Sequence, residues 1–413
     1  MEIQPTETQE EELKNSIQVL EIDYSEIRAE KKQEIVSGFL KSHLHRKRIV
    51  KNALVVLRLY KTPSRVIRIL KMIKEKRNTM AGGENIFKVV SVADQHYCRI
   101  NIPPWESPLF HPFLLSELNR LEKHNEPTHR LTTAFLAITK KCPLKCEHCF
   151  EWDNLNQPEK ISTSDIDQMI EKLQSIGTLN ISFTGGEPML RVKELVNAIQ
   201  KYKHKSAFWI LTSGFNFTAD NAAALKAAGL TGLIVSIDHH DAYQHDIFRG
   251  KEGSFRDALY AVKYSIENEF ITVVSTCITR ATATREYLDQ FMLFAKDLGV
   301  GFVQFFEPKA VGHYAMKDVL LAPEQIEILE EVLLTYNNEL AYKDFPIIVY
   351  HGYYQRRMGC MVSGNRAVYV DTNGDFLSCS FCHQKSGSLL DPDFKESIEK
   401  MSITGCVDYG NSY

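Results

Sequence analysis

The chain has 413 residues, of which 44% are hydrophobic and 24% charged, and its formal net charge is −3. This composition supplies enough apolar residues for a sizeable core, the length predicts two or three domains, and the charge gives no sign of nucleic-acid binding. The acidic, polar N-terminus lacks the features of a signal peptide, and no apolar run reaches the roughly 18 residues of a membrane span. We therefore expect a cytoplasmic protein, soluble or peripheral at a membrane.

Residues 1–85 predict a helical N-terminal region. Residues 1–40 are rich in Glu and Lys and indicate a loosely packed helical leader. Residues 46–77 combine apolar positions at helical spacing with twelve basic residues and one acid, Glu75, which predicts two basic amphipathic helices. Three interpretations stay open: a solvated face, contact with an anionic membrane surface, or contact with an acidic peptide or nucleic acid. Tyr60 is the one interleaved aromatic, so base stacking has little support.

Residues 86–130 predict a hairpin and a short helix that link this region to a regular pattern over residues 131–310. There, six short apolar strands alternate with amphipathic helices. Such βα units, with right-handed crossovers, predict an α/β fold built on an incomplete (β/α)6 barrel of the TIM type. Chemistry in such barrels lies at the C-terminal ends of the strands. A helical connection over 311–350 and a small β-hairpin domain over 351–413 complete the prediction.

The chain has nine cysteines, and seven of them fall into two groups. In a cytoplasmic protein, clustered cysteines more often bind metal or catalyse than form disulfides. The first group follows the first barrel strand with the spacing Cys142-x3-Cys146-x2-Cys149. Three thiolates on one loop can ligate three irons of a cubane cluster and leave the fourth iron free. A zinc site would need a fourth ligand nearby, for which His148 is the candidate.

This loop resembles the C-x3-C-x-aromatic-C signature of the radical S-adenosylmethionine (radical SAM) superfamily, with His148 at the aromatic position. The resemblance spans about residues 130–310. A double glycine after the second strand lets the backbone approach a ligand closely, and the carboxylate that follows can accept a hydrogen bond from the ligand's ammonium group. These residues match the superfamily's GGEP segment and are Gly185, Gly186, Glu187 and Pro188.

Weaker motifs of the same superfamily follow at the ends of later strands. Thr-Ser-Gly after the third strand resembles its TNG-like segment, and Ser-Ile-Asp after the fourth resembles its S-x-D segment. The resemblance implies that these side chains bond the ribose and the carboxylate of S-adenosylmethionine, that an arginine pairs with that carboxylate, and that a glutamate lines the barrel mouth. A plain turn or a solvated residue is the alternative at each position. The candidate cofactor-binding residues are Thr212, Ser236, Asp238, Arg249 and Glu307.

The resemblance implies a 4Fe–4S cluster on the first cysteine group, bound S-adenosylmethionine, and an electron donor of the flavodoxin or ferredoxin type. Reductive cleavage of the sulfur–carbon bond then gives methionine and a 5′-deoxyadenosyl radical, which abstracts hydrogen from a peptide, cofactor precursor or lipid. Two hypotheses from other classes remain: a non-catalytic iron–sulfur electron carrier or sensor, and a zinc-stabilised binding module.

The second cysteine group surrounds a hairpin signal, Asn373-Gly374, and resembles the SPASM or twitch extension of many radical enzymes. Its cysteines are too few for two clusters with four ligands each, so the resemblance implies one auxiliary 4Fe–4S cluster. A three-cysteine site open to substrate, buried thiols, or a zinc site that uses His383 are the alternatives. The expected ligands are Cys360, Cys379, Cys382 and Cys406.

Overall fold

The computed structural model describes residues 32–80, 88–128, 131–360, 362, 364–404 and 406. Most of the predicted leader lies outside the described residues. The helices, in chain order, are α1 (Gly38–Tyr60), α2 (Pro63–Met80), α3 (Phe110–Leu121), α4 (Thr163–Ser175), α5 (Val192–Tyr202), α6 (Ala219–Ala228), α7 (Ala242–Arg249), α8 (Ser254–Glu267), α9 (Arg285–Leu298), α10 (Pro323–Asn338), α11 (His351–Met358) and α12 (Phe394–Thr404).

The described strands form two sheets. A small antiparallel sheet has the order β1-β2-β3, and a ten-stranded sheet has the order β10-β9-β8-β7-β6-β5-β4-β11-β12-β13. The strands are β1 (Gln33–Val36), β2 (Val89–Val92), β3 (Gln95–Tyr97), β4 (Thr133–Ala137), β5 (Asn180–Thr184), β6 (Ala207–Thr212), β7 (Gly232–Ser236), β8 (Ile271–Cys277), β9 (Phe302–Phe306), β10 (Ile347–Tyr350), β11 (Ala367–Val370), β12 (Asp375–Cys379) and β13 (Cys382–Ser388).

The large sheet confirms the predicted α/β fold with an open, partial barrel. Strands β4 to β9 are the six predicted parallel strands, each followed by helix, and the helices pack on one face of the sheet. Within the described residues β10 and β13 do not pair with each other, so the barrel stays open. A capping box begins α4, because the side chains of Ser162 and Asp165 each accept a hydrogen bond from the other residue's backbone N–H.

The sheet is longer than the sequence predicts. β10 lies in the segment expected to be a helical connection, and it extends the parallel array beyond β9. β11, the first strand of the predicted C-terminal hairpin, pairs in parallel with β4. The hairpin is therefore continuous with the barrel sheet. At the other end of the chain, β1 lies in the segment predicted as helical and forms a strand because it pairs with β2.

Two apolar layers cover the two faces of the large sheet. The helices cover its outer face, and the small sheet packs against the inner face of the N-terminal halves of the strands, where Val90 and Tyr97 meet Trp209 and Phe302. This packing closes one end of the barrel. Polar residues such as Ser236 lie on the inner face near the C-terminal ends of the strands, so the fold leaves a polar mouth at that end.

A buried lysine ties the small sheet to the barrel. Lys88 is 1% exposed, and its Nζ donates hydrogen bonds to the carbonyl oxygens of Tyr342 (3.0 Å), Phe345 (2.8 Å) and Pro346 (3.4 Å). The three donors of the ammonium group are matched to three carbonyl groups before β10. This contact holds the start of β2 against the segment that leads into β10.

We expect Lys88→Met to destabilise the protein by about 2 kcal/mol, because it keeps the apolar stem and leaves buried carbonyl groups without donors. Thermal unfolding followed by circular dichroism measures the effect. The matched control is Lys32→Met, which removes an exposed lysine that bonds one carbonyl oxygen, that of Glu267. Equal melting temperatures for the two variants would contradict this role.

Candidate active site

The first cysteine group lies at the C-terminal end of β4, on the loop that opens into the barrel mouth. The three thiols lie close enough to interact electrostatically. Cys142 interacts with Cys146 and Cys149, and Cys146 interacts with Cys149. Burial raises the pKa of Cys142 and Cys149 to about 12 and raises that of Cys146. The free loop therefore holds neutral thiols, and metal binding would release their protons.

Hydrogen bonds to main-chain groups hold this loop on its two flanks. The amide of Asn156 accepts from the N–H of Cys142 (3.0 Å) and donates to its carbonyl oxygen (3.1 Å). On the other flank the N–H of His313 donates to the carbonyl oxygen of Cys149 (2.9 Å). The ring Nδ1 of His313 lies 3.0 Å from the carbonyl oxygen of Cys146. These contacts occupy backbone groups and leave the sulfur atoms available as ligands.

The end of α7 supports the middle of the cysteine loop. The N–H groups of Lys145 and Glu147 donate to the carbonyl oxygens of Arg249 (3.1 Å) and Phe248 (2.9 Å). His148, at the aromatic position, stacks on Phe248 with ring centroids 4.9 Å apart. Burial lowers the pKa of His148 to about 4, so its ring is neutral. The hydrogen bond from Lys145 to the carbonyl oxygen of Arg249 therefore places this predicted arginine beside the cysteines.

The double glycine packs directly against the cysteine loop. The N–H of Gly186 donates to the carbonyl oxygen of Thr139 (2.7 Å), and that of Glu187 donates to the carbonyl oxygen of Lys141 (2.8 Å). A Cβ on Gly185 would lie 2.4 Å from the Thr139 oxygen, and one on Gly186 2.2 Å from the Lys141 oxygen. The sequence suggested close approach to a ligand; the structure shows close approach of two backbones.

Glu187 joins the second and third predicted motifs. Its carboxylate, in a residue 1% exposed, accepts hydrogen bonds from the N–H of Met189 (3.0 Å) and the hydroxyl of Thr212 (2.7 Å). It also accepts from the N–H (2.8 Å) and hydroxyl (2.6 Å) of Ser213. Burial raises the pKa of Glu187, and the four donors oppose that shift. The carboxylate is saturated, so Thr212 and Glu187 hold the turn that begins at Pro188.

Asp238 and Arg249 meet each other beside a cysteine. Arg249 Nε lies 2.6 Å from an oxygen of Asp238, and its Nη1 lies 3.7 Å from the sulfur of Cys146. The N–H of Cys277, at the end of β8, donates to the other Asp238 oxygen (2.8 Å). Although burial opposes the shift, the Arg249 charge holds the pKa of Asp238 below its usual value. The carboxylate pairing that the sequence assigned to a ligand is made within the protein.

Glu307 follows β9 and joins an ion network with the next strand. Its Oε1 accepts from the hydroxyl of Tyr350 (2.6 Å) and from Arg356 (2.7 Å), and Lys309 lies 3.8 Å from Oε2. Its partners therefore come from β10 and α11. Ser236, the remaining candidate, ends β7 on the inner face and is half-buried.

Sequence reasoning missed a polar pair in the mouth. Gln304, on the inner face of β9, has its amide nitrogen 2.8 Å from Nε2 of His351, the first residue of α11. Burial lowers the pKa of His351 to about 4, with a contribution from Arg99. Gln304 interrupts an apolar strand and could have been noticed on that ground. His351 follows a strand that the pattern did not predict.

The second cysteine group also comes together. Cys379 and Cys382 face each other across the β12–β13 turn, and their charges interact with each other and, for Cys379, with Cys406. Cys360 is buried and interacts electrostatically with Cys379 and Cys406. Burial raises its pKa to about 12. His383, the alternative ligand, is exposed. Within the described part of the chain no three His, Cys, Asp or Glu side chains converge tightly enough to hold a single metal ion.

Aromatic side chains connect the two cysteine groups. Phe150, next to Cys149, contacts Tyr369 of β11 and Phe381, with ring centroids 5.8 and 5.9 Å apart. Phe381 lies between Cys379 and Cys382 and also meets Phe306 at the end of β9, at 6.3 Å. The second cysteine group therefore lies at the same mouth as the first.

Residues 136–295 match the family model described as the Radical SAM superfamily. Curated relatives named AdoMet-dependent heme synthase are similar in sequence. The one from Nitratidesulfovibrio vulgaris is 30% identical over 145 residues, which are 35% of this chain and 39% of that protein. The one from Methanosarcina barkeri is 24% identical over 295 residues, which are 64% of this chain and 81% of that protein. The chain thus spans well under half of the first relative.

Solved structures show the same fold at low identity. SuiB of Streptococcus suis, bound to the precursor peptide SuiA, is 16% identical, with a TM-score of 0.54 over 81% of this chain and 77% of that one. Native anSMEcpe with bound AdoMet is 18% identical, with a TM-score of 0.51 over 65% of this chain and 81% of that one. The chain therefore contains, over residues 136–295, a domain that matches the radical SAM superfamily.

Proposed function

We propose that this enzyme holds a 4Fe–4S cluster on Cys142, Cys146 and Cys149 and uses it to cleave S-adenosylmethionine reductively. The observation that carries the proposal is the state of the cysteine loop. Its three sulfur atoms lie near one another at the barrel mouth, while neighbouring residues already bond its main chain. The sulfur atoms are therefore the groups of this loop that remain available to bind a cluster.

The residues present fit such a cluster. Soft thiolate ligands suit iron–sulfur centres, and the loop backs onto the glycine turn on one side and α7 on the other. When bound, the reduced cluster supplies an electron that splits the sulfur–carbon bond of S-adenosylmethionine, and the resulting 5′-deoxyadenosyl radical abstracts hydrogen from the substrate.

The chain's own residues would support this chemistry in two ways. Arg249 brings a positive charge and an N–H group to the sulfur of Cys146, and hydrogen bonds and charge at cluster sulfurs tune the reduction potential. Asp238 holds the guanidinium in that position. On the adjoining side, Glu187 fixes the turn after β5 through its four donors. Ser236 would then face the cofactor from the inner surface of β7.

The substrate belongs to the proposal as a peptide, a cofactor precursor or a lipid. The name of the Methanosarcina barkeri relative, whose length this chain largely spans, supports a cofactor precursor of the heme class. The structural neighbours that were solved with peptides bound support a peptide. Incubation with each candidate in deuterated form would identify the substrate. The radical abstracts deuterium from the true substrate, so 5′-deoxyadenosine would gain the label only in that incubation. A flavodoxin- or ferredoxin-like protein would donate the electron.

We include a single auxiliary 4Fe–4S cluster in the proposal. Electrostatic interactions of Cys379 with Cys360, Cys382 and Cys406, and of Cys360 with Cys406, support it, as does the aromatic contact between the two cysteine groups. The proposed cluster sites do not involve the basic N-terminal helices, for which contact with a membrane surface is a separate proposal.

Anaerobic reconstitution separates the proposal from its alternatives. An enzyme of this kind turns brown and forms 5′-deoxyadenosine when a reductant and S-adenosylmethionine are added. An electron carrier or sensor would be brown without forming that product, and a zinc-stabilised module would be colourless.

Single substitutions Cys142→Ala, Cys146→Ala and Cys149→Ala should each abolish 5′-deoxyadenosine formation, because each removes one of three ligands. Chromatography of the reaction products measures this. Cys98→Ala is the matched control, since Cys98 lies outside both cysteine groups, next to β3. Retained cleavage in any one of the three variants would count against the assignment.

Replacement of Cys379 or Cys382 by alanine should lower the iron content while cleavage of S-adenosylmethionine continues, because the first group stays complete. Turnover of the true substrate should fall. Iron analysis and product chromatography on the same preparation measure the two effects, again with Cys98→Ala as control. Unchanged iron content in both variants would remove the auxiliary cluster from the proposal.

Arg249→Gln leaves Asp238 buried without its cation, and we expect a loss of stability of roughly 3–5 kcal/mol. The double variant Asp238→Asn/Arg249→Gln should recover most of that loss. Its cluster should still have a more negative reduction potential, because the charged guanidinium that contacts the sulfur of Cys146 is gone. Calorimetry and a redox titration followed by electron paramagnetic resonance measure the two properties. A potential equal to that of the wild type would show that Arg249 serves stability alone.

A further inference from the structure

Helices α1 and α2 differ from the rest of the molecule in composition and exposure. Residues 38–80 contain thirteen Lys and Arg and one acid, Glu75, within a chain whose net charge is −3. Eight of the fifteen large apolar side chains that are exposed among the described residues also lie here. They are Phe39, Leu40, Ile49, Val50, Leu54, Leu57, Ile67 and Leu70.

One side of α1 faces the body of the protein. Its Tyr60 hydroxyl donates to the carbonyl oxygen of Glu122 (2.6 Å), and its Arg48 donates to the carbonyl oxygen of Trp105 (3.2 Å). The Arg48 guanidinium also lies 3.5 Å from the ring centre of Phe110. The inner side already provides the contacts that dock the helix, so the apolar residues on the opposite side are not needed for that.

The opposite side, which we call the outer face of α1, carries an apolar row. The row consists of Phe39, Val50, Leu54 and Leu57. Successive members are eleven, four and three positions apart, and these spacings place them along one side of an α-helix. Their exposed fractions are 87%, 59%, 60% and 51%. A soluble helix normally buries such a row.

Positive charges flank this row. Arg46, Lys47, Lys51, Arg58 and Lys61 are exposed, and none of them forms a salt bridge with a described residue. In contrast, Arg65 and Arg68 on α2 pair with Glu122. The flanking charges are thus available to a partner that carries negative charge.

We infer that the outer face of α1 binds an anionic membrane surface, with its apolar row in the interface and its cations among the lipid headgroups. An apolar row flanked by Lys and Arg is the composition of helices that lie in the plane of a membrane. A nucleic acid would satisfy the charges but leave most of the apolar row in water, and aromatic residues suited to base stacking are scarce. None of the described helices is long and apolar enough to span a bilayer, so the contact is peripheral.

Co-sedimentation of the full-length protein with lipid vesicles tests this inference. We expect binding to vesicles that contain phosphatidylserine, little binding to vesicles of phosphatidylcholine alone, and release at high salt. Absence of binding to the anionic vesicles would overturn the inference. Equal binding to both kinds of vesicle would also overturn it.

The double variant Val50→Glu/Leu54→Glu should abolish vesicle binding, because it places carboxylates in the apolar row. The matched control is Leu293→Glu/Leu340→Glu, which changes two leucines of similar exposure, 53% and 66%, elsewhere on the surface. Melting temperatures of both variants report whether they fold. Equal loss of binding in the control would show that the outer face is not the contact.

The variant Lys47→Gln/Lys51→Gln tests the charges separately. Loss of two cations near an anionic surface should weaken binding by about thirtyfold and reduce its dependence on salt. Formation of 5′-deoxyadenosine should stay at the wild-type level, because these residues lie outside the cysteine site. Unchanged affinity would overturn the electrostatic part of the inference.

Discussion

The candidate site depends on the contact between the backbone of the glycine turn after β5 and that of the cysteine loop after β4. Two hydrogen bonds, from Gly186 to Thr139 and from Glu187 to Lys141, cross between the turn and the loop. The contact is possible only because neither glycine has a Cβ, which would meet a carbonyl oxygen at about 2.2–2.4 Å. Because β4 and β5 are neighbours in the parallel sheet, their C-terminal ends must lie side by side, and the glycines let them touch. The position of the cysteines is thus set by main-chain geometry.

Two buried carboxylates organise the remainder of the mouth, and they do so by different chemistry. Glu187 is saturated by neutral donors from two strand ends, which fixes the turn without adding a cation. Asp238 is neutralised by Arg249 and anchored by the N–H of Cys277, which brings a positive charge to Cys146. Glu187 therefore has no paired cation on the side of the loop next to β5, whereas on the side next to α7 the Arg249 guanidinium lies between the Asp238 carboxylate and the sulfur of Cys146.

The sequence was sufficient for the features that follow from periodicity and local motifs. Alternating strands and helices predicted β4 to β9, and the cysteine spacing predicted the loop. It was not sufficient where a contact joins distant segments. β10 is only four apolar residues long, too short for a period to be recognised, and its absence from the prediction concealed Tyr350 as the partner of Glu307 and His351 as the partner of Gln304. The sequence also did not predict the pairing of Asp238 with Arg249, because the motif of each residue indicated a contact with S-adenosylmethionine instead.

The parallel pairing of β11 with β4 changes how the C-terminal cysteines relate to the first group. A hairpin tethered by a flexible connection could take many positions, but one hydrogen-bonded to β4 carries Tyr369 to Phe150, and the next turn carries Phe381 to the same ring. Phe150 directly follows Cys149, and Phe381 lies between Cys379 and Cys382. Any shift of one cysteine loop on metal binding must therefore be accommodated by the aromatic contact with the other. Because packed aromatic rings resist such shifts, the geometry of the two cysteine loops is coupled, even though the sequence separates them by more than two hundred residues.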